Sequence, residues 1–344
     1  MVAYHIWDQI CSSEQLAEKS GVRMKGADFF FPCAIEEDPA QESKMHEIMC
    51  SGIRDFRRDS KIIQERRINK TYGAVDAYEH LAPIIDTDKS MSWLMDLVKQ
   101  KGANLVTGTI EGDLFDLEPR LREEHNVDVI VNATGLAGSE LAGDSSCYPI
   151  RGGLIRVIND GTSFPKLDHA LTITADAVHD SSEIVFLVPR NDNILLIGGI
   201  AEANEYELSL TLDSPIIKRM RARCEKFLPD LKDAKLDPDY PLAQGLRPFR
   251  QRNVRVEREL RWQEPATEGL LATPSRIVHS YGQGGAGWSL SFGCAGDVSV
   301  LVEEALLDLP PKAMAVENSG EEDFQPMSDL GIDETQELLF KARL

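Results

Sequence analysis

The segment Tyr281-Gly-Gln-Gly-Gly-Ala-Gly287, followed by Trp288-Ser289, has the residue types of a ligand loop. Four glycines in six positions leave backbone amides free to turn toward an acceptor or anion beside a helix N-terminus. Gly282, Gly284 and Gly287 spell G-x-G-x-x-G, but no βαβ unit follows, and no Gly-Lys-Ser/Thr marks a nucleotide-triphosphate loop. A bland glycine-rich connector is the competing reading. Asn132-Ala-Thr134-Gly135 follows the apolar run Val127-Asp-Val-Ile-Val131. A small residue and a glycine at the carboxyl end of a parallel strand let backbone approach a ligand, and an ordinary strand-to-helix turn is the alternative. Gly245-Leu-Arg247-Pro-Phe-Arg250 carries two arginines around a stiffening proline. That suits a guanidinium fork held against a carboxylate, and equally suits surface ion pairs.

The elements that must hold these groups fall into two patterns. Asp86 or Thr87 starts a helix with Met91, Leu94, Met95 and Val98 on one face, stopped by Gly102. Ala103 to Val106 reads as a strand, and Val127 to Val131 as a strand buried on both faces of a parallel sheet. Leu154–Val157, Ala170–Ile173, Ile184–Val188 and Ile194–Ile197 are short strands between turn-formers, a density typical of an antiparallel sheet. Pro215 to Leu228 is an amphipathic helix with Ile216, Ile217, Met220, Phe227 and Leu228 inward, and Arg255 to Leu260 can alternate as a strand. Ile277 to Tyr281 is again a buried strand, with a long helix running to about Leu307. Near the start, Met1 to Lys19 can begin as a helix with Ile6, Ile10 and Leu16 inward, and Phe29-Phe30-Phe31 reads as a strand. The fold class is α/β (α+β overall): a Rossmann-like parallel layer interrupted by an antiparallel, β-rich insertion. The expected divisions are 1–85 mostly helical or substrate-side, 86–158 with 263–308 as the cofactor layer, 159–262 as the substrate domain, and 309–344 as an acidic flexible tail.

Composition narrows the classes. The 344 residues carry 57 acidic and 37 basic side chains, a net charge of −20, which argues against nucleic acid and anionic lipid as partners. At 42% hydrophobic the chain can bury real cores, yet no apolar run approaches the ~20 residues of a membrane span. The first residues do not form a secretory signal. Six cysteines without C-x-x-C spacing or histidine clusters predict no disulfide framework and no metal, and a reducing intracellular compartment. Ala342-Arg343-Leu344 is a variant of the C-terminal peroxisomal address.

Taken in order, Val-Asn-Ala-Thr-Gly135, Arg151-Gly-Gly153, Gly-Leu-Arg-Pro-Phe-Arg250 and His279-Ser-Tyr-Gly-Gln-Gly-Gly-Ala-Gly287 resemble the D-amino-acid oxidase family. The likeness runs from about residue 86 to 307 and more faintly back to residue 1. It implies FAD as cofactor, touched by Ile110 and Thr134 near its adenine and linker. Gly284, Gly285, Ala286, Gly287, Trp288 and Ser289 would wrap the flavin. It implies Arg250 as the clamp for the substrate carboxylate and the Gly285 carbonyl as acceptor from the substrate amine. The implied reaction needs no side-chain acid or base. A hydride passes from the α-carbon to flavin, dioxygen becomes hydrogen peroxide, and the imino acid hydrolyses to a 2-oxo acid and ammonia. Members are commonly peroxisomal, which fits the Ala-Arg-Leu ending and an import receptor as partner; a cytoplasmic location is the alternative.

Three positions depart from the family pattern. Phe186 stands where the family has a tyrosine, which removes a hydroxyl bond to the carboxylate worth about 1–3 kcal/mol. Ala201 replaces a second tyrosine and opens space, so an unusual amine is as plausible a substrate as a simple D-amino acid. The strand, G-x-G-x-x-G turn and helix with which the family begins do not precede Met1. The expectation is therefore a truncated reading frame, with unpaired backbone and apolar surface on the cofactor side. The competing functions are a D-aspartate, glycine or sarcosine type oxidase, and a cofactor-free, non-catalytic paralogue.

Overall fold

The structure, a computed structural model, describes residues 1–174, 184–265 and 271–312. The chain opens with α1 (Val2–Cys11) and α2 (Glu14–Ser20), then β1 (Val22–Phe31), α3 (Pro39–Cys50), β2 (Arg57–Arg58), α4 (Ile62–Glu65) and β3 (Asp76–Ile85). Next come α5 (Thr87–Gln100), α6 (Leu114–His125), β4 (Ile130–Asn132) and α7 (Gly138–Leu141). The strands β5 (Cys147–Ile158), β6 (Ala170–Thr174), β7 (Ile184–Pro189) and β8 (Ile194–Ala203) lead to α8 (Pro215–Phe227) and β9 (Leu242–Arg250). The chain continues through β10 (Arg255–Arg258), β11 (Trp262–Gln263), β12 (Thr273–Pro274), β13 (Ile277–Tyr281) and α9 (Gly287–Leu306). Local signals fix several boundaries. Ser13 caps α2 and Gly21 ends it in the left-handed region, while Asp38 with Pro39 starts α3 and Asp113 caps α6.

Among the described residues an eight-stranded sheet runs β2-β3-β1-β6-β7-β8-β5-β9, antiparallel except where β1 meets β6. Its main core is closed by α8: Ile155, Leu187, Leu195 and Ile197 pack with Met220 and Phe227, all buried. The period-two alternation on β7 and the period-3.6 apolar face of α8 meet here, so the inward residues read from sequence are those found inside. The sheet also takes in β1, β2, β3 and β5, all of which precede residue 159. A second sheet, β10-β13-β4, pairs β4 with β13 in parallel and is followed by α9. Helix α1 packs on α9 through Trp7, whose ring meets Trp288 at 5.9 Å and Phe292 at 4.8 Å. No described helix is long and apolar enough to cross a membrane.

Several elements differ from expectation. Ala103 to Val106 form no strand; the segment is exposed and irregular, with Val106 76% exposed. The strand expected at Val127–Val131 is only Ile130–Asn132, and Val131 faces outward at 45% exposure. The apolar stripe of α5 also faces outward, leaving Met91 54% exposed, and the buried position is Ser90. On the first helices Trp7 and Ala3 are inside whereas Leu16 is exposed. Spacing identifies an apolar face but not the element that covers it, and no described element covers these.

Buried Cys224 behaves as a core hydrophobe, with burial pushing its thiol up to about 12, whereas Cys50 is exposed. Asp28, Glu79 and His169 converge, but the Arg66 guanidinium binds among them, 2.8 Å from Glu79 and 3.0 Å from His169, so the cluster is an ion-paired one. The ending Ala342-Arg343-Leu344 lies outside the described residues.

The packing sorts mutations cleanly. Phe227→Ala, in the core under the sheet, lowers stability by about 3–5 kcal/mol. Met91→Ala, on the uncovered face of α5, changes it by less than about 0.5 kcal/mol. Guanidinium unfolding midpoints check both, and equal losses would contradict the observed orientation of α5.

Candidate functional site

The segment Gly245 to Arg250 is the end of β9, and each of its last four side chains settles on a glycine of another segment. The Arg247 guanidinium carbon lies 2.5 Å from where a Cβ on Gly152 would stand. Pro248 comes within 3.4 Å of the corresponding point on Gly135, and the Phe249 ring within 2.7 Å of that on Gly284. The Arg250 chain carbons come within 2.5 Å of that on Gly282. Gly282 and Gly284 also hold φ of +86° and +54°, which other residues adopt at a cost. The glycine-rich loop, the Asn-Ala-Thr-Gly turn and the Gly-Leu-Arg-Pro-Phe-Arg strand, far apart in sequence, are thus one packed assembly.

The two arginines of that strand have different fates. Residues three apart on a strand point to opposite faces. Arg250 donates from Nε to Asp144 Oδ2 at 2.7 Å and from Nη1 to the Asn253 carbonyl. Asp144 also accepts from the Tyr281 hydroxyl at 2.9 Å and from Ser146. Burial opposes ionisation of Asp144, but the Ser146 hydrogen bond, the Arg250 charge and the Tyr281 hydroxyl together hold its carboxyl down at about 2. Arg250 is therefore neutralised within the protein. Arg247 has no acidic partner among the described residues; it donates from Nη1 to the Ile200 carbonyl at 3.2 Å, and burial alone depresses its pKa.

Register places further candidates on the Arg247 side of the large sheet. Ile150 pairs with Arg247, Gly152 with Ala201 and Leu154 with Gly198, and Gly198 pairs in turn with Phe186. Val185 and Leu187 point into the α8 core, so half-buried Phe186 projects from the opposite face. Arg247, Phe249, Ala201 and Phe186 therefore share one face.

Beyond Phe249 lies the 282–289 loop, where Gly285, Gly287 and Ser289 are exposed and Ala286 is buried. The loop leads into the 20-residue α9, which has no side-chain cap and no acidic residue in its first turn. Its first amides are therefore orphan donors, suited to an acceptor or a partial negative charge. Trp288 is different: its ring is engaged by Trp7. Thr134 is exposed, but its hydroxyl and amide both bond to Asn132 Oδ1, at 2.7 and 3.3 Å. Ile110 is 45% exposed on the irregular stretch between α5 and α6.

This arrangement can bind a carboxylate at Arg247 and an electron-poor ring at the α9 terminus. A family model described as FAD dependent oxidoreductase matches residues 3–300. The chain belongs to this family. A D-amino-acid oxidase of Rubrobacter xylanophilus is 31% identical over 68% of this chain and 62% of its own length. One from Streptomyces coelicolor is 33% identical over 64% of this chain and 58% of its own length. The chain thus spans about three-fifths of the length of these curated relatives. Glycine oxidase from Geobacillus kaustophilus shares the fold, with a TM-score of 0.62 at 17% identity over 94% of this chain and 82% of its own.

FAD is the cofactor of the family, and the 282–289 loop fits a flavin: no side chain caps α9, and a Cβ on Gly287 would meet nothing within 4 Å. Sequence reasoning favoured Arg250 as the carboxylate clamp; here Arg250 pairs with Asp144, and strand alternation sets Arg247 on the opposite face. It also missed Asp144, whose partners lie 106 and 137 residues away.

Asp144 makes stability depend on pH with a definite sign. Its folded-state pKa lies below the ordinary 3.8, so its contribution is complete above about 4 and is lost as pH falls through about 2. Asp144→Asn therefore lowers the unfolding free energy at pH 7 by about 3 kcal/mol, through the orphaned Arg250. The gap to wild type narrows from pH 4 toward pH 2 in urea titrations; a gap independent of pH would refute the coupling.

Proposed function

We propose that this chain oxidises D-amino acids, with Arg247 holding the substrate carboxylate and the 282–289 loop holding the flavin. The observation that carries the reading is Arg247 itself, a half-buried guanidinium with no acidic partner among the described residues, on the strand whose next ring, Phe249, packs against the glycine-rich loop. A partly desolvated cation of this kind is costly unless an anion completes it, and a carboxylate matches its fork in two bonds. Arg250, satisfied by Asp144, fixes the strand to the loop instead of meeting substrate.

In this reading the Gly285 carbonyl accepts from the substrate amine, and Phe186 borders the side-chain region, with space left by Ala201. Loss of a hydroxyl at Phe186 leaves more of the carboxylate binding to Arg247. When bound, FAD would supply the acceptor for a hydride from the substrate α-carbon and the route of its electrons to dioxygen, giving hydrogen peroxide. The released imino acid hydrolyses to a 2-oxo acid and ammonia. The contribution of the chain is orientation: carboxylate and amine fixed at two points aim the α-hydrogen in one direction. Ile110 and Thr134 contact the cofactor away from the reacting ring in this reading. We assign the Ala342-Arg343-Leu344 ending as a peroxisomal address read by the import receptor, which would confine the peroxide.

A panel of D-amino acids, glycine and sarcosine with peroxide detection tests the reading. Turnover of D-amino acids is expected, and turnover of sarcosine alone would overturn it. Arg247→Ala lowers kcat/KM about 10²–10³-fold, as expected for removing one member of a buried charge pair. An unchanged value would remove Arg247 from the site.

A further inference from the structure

Behind the Asn-Ala-Thr-Gly turn runs a buried polar chain that neither substrate nor fold obviously requires. His279 on β13 pairs across the parallel ladder with Asn132 on β4, and both are 1% exposed. The orientation of every group in this chain can be deduced. The Thr134 amide can only donate, and it points at one Asn132 atom, which must therefore be Oδ1. The Thr134 hydroxyl donates to the same oxygen at 2.7 Å. Asn132 Nδ2 then faces His279 Nδ1 at 3.2 Å, so Nδ1 must be the unprotonated acceptor. Nε2 carries the hydrogen and donates to Glu259 at 3.3 Å. Glu259 is fixed in turn by Arg261 at 2.9 Å, and Arg261 grips Asp113, the cap of α6. The other groups around the imidazole are Arg255 and Glu257 on β10 and the edge of the Tyr281 ring. Burial, the largest influence, lowers the imidazole pKa and favours the neutral form that the bonding pattern demands.

We propose that Glu259, His279 and Asn132 form a positioning relay that turns both protons of exposed Thr134 inward, so that the Thr134 side chain offers the ligand only an acceptor oxygen. The ligand atom that the Thr134 hydroxyl recognises is therefore a hydrogen-bond donor, a hydroxyl or amino group, and not a phosphate oxygen. The ligand half of this inference rests on the flavin reading given above; the relay does not. A phosphate oxygen against that lone pair would be repelled, whereas a sugar hydroxyl or an exocyclic amine would be held. His279 touches no ligand and acts through Asn132.

Histidine-selective nitrogen NMR on the full chain tests the relay first. A neutral Nε2–H tautomer for His279, unchanged between pH 5.5 and 8, is expected; an Nδ1–H tautomer or titration in that range would overturn it. Binding of FAD, followed by flavin fluorescence quenching, tests the rest. Thr134→Ser keeps affinity within about twofold, and Thr134→Val weakens it about tenfold. Unchanged or tighter binding by Thr134→Val would contradict recognition of a donor. His279→Gln, which keeps one donor and one acceptor, stays near wild type, and His279→Leu weakens binding about tenfold. The double variant with Thr134→Val loses about tenfold and not a hundredfold, because both changes break one pathway. Additive losses would make His279 merely structural. Should His279→Leu fail to fold, the tautomer and the Thr134 pair still decide. Absence of FAD uptake by the wild-type chain would sink the flavin reading and the ligand half together, leaving the spectrum to judge the relay.

Discussion

The contact between the end of β9 and four glycines sets the geometry of everything else. Gly135, Gly152, Gly282 and Gly284 come from separate places on the chain, yet each faces one of four consecutive side chains, Arg247 to Arg250. A methyl group at Gly284 would stand 2.7 Å from a ring atom of Phe249, well inside van der Waals contact. Close-packed interiors transmit such overlaps and do not absorb them. The strand that carries the carboxylate-binding candidate and the loop that begins α9 are therefore held at one spacing. The site belongs to the joint between the two sheets, and its dimensions are those of the joint.

That contact also explains why two arginines in one short motif do different work. One is tied to Asp144 and Tyr281 across the joint, a network whose hydrogen bonds cross from β9 to the turn after α7 and to β13. Buried pairs of this kind add little stability relative to apolar packing, but they specify geometry, because breaking either partner strands a charge. The other arginine is left with a carbonyl and, among the described residues, no anion. Folding bears the cost of that uncompensated charge, and a bound carboxylate would recover it. Binding energy would then be concentrated at the point where orientation of the α-carbon is decided.

Sequence alone disclosed most of this fold where an element's neighbours are close along the chain or its pattern is strongly periodic. The strands Ile184–Pro189 and Ile194–Ala203 and the helix Pro215–Phe227 alternate with the right period because each has one face on the core. The same logic misplaced α5 and the run at 127–131: their apolar residues are real, but nothing described covers them, and Met91 and Val131 lie exposed. Among site residues, the glycine-rich loop and Thr134 were legible as motifs. Choosing between Arg247 and Arg250 required knowing where Asp144 falls, a contact across 106 residues that no local pattern encodes. The His279–Glu259 bond was equally hidden, since it depends on β10 and β13 being antiparallel neighbours.

Among the described residues, the commitment of acids and bases around the joint is consistent with this economy of fixed parts. The nearest titratable groups are already committed: Asp144 is held ionised by its partners, Glu259 is kept well below the usual carboxylate range despite burial, and His279 is neutral and enclosed. None can exchange a proton with a substrate without breaking bonds that position a neighbouring segment. The proposed chemistry asks for no such exchange, because it relies on orientation, with a cofactor supplying the electron acceptor. A site of that kind tolerates altered side chains at its border, such as Phe186 and Ala201, more readily than movement of its backbone. Substrate range can thus drift while the β9–glycine contact, the Asp144 bridge and the relay behind Thr134 stay fixed.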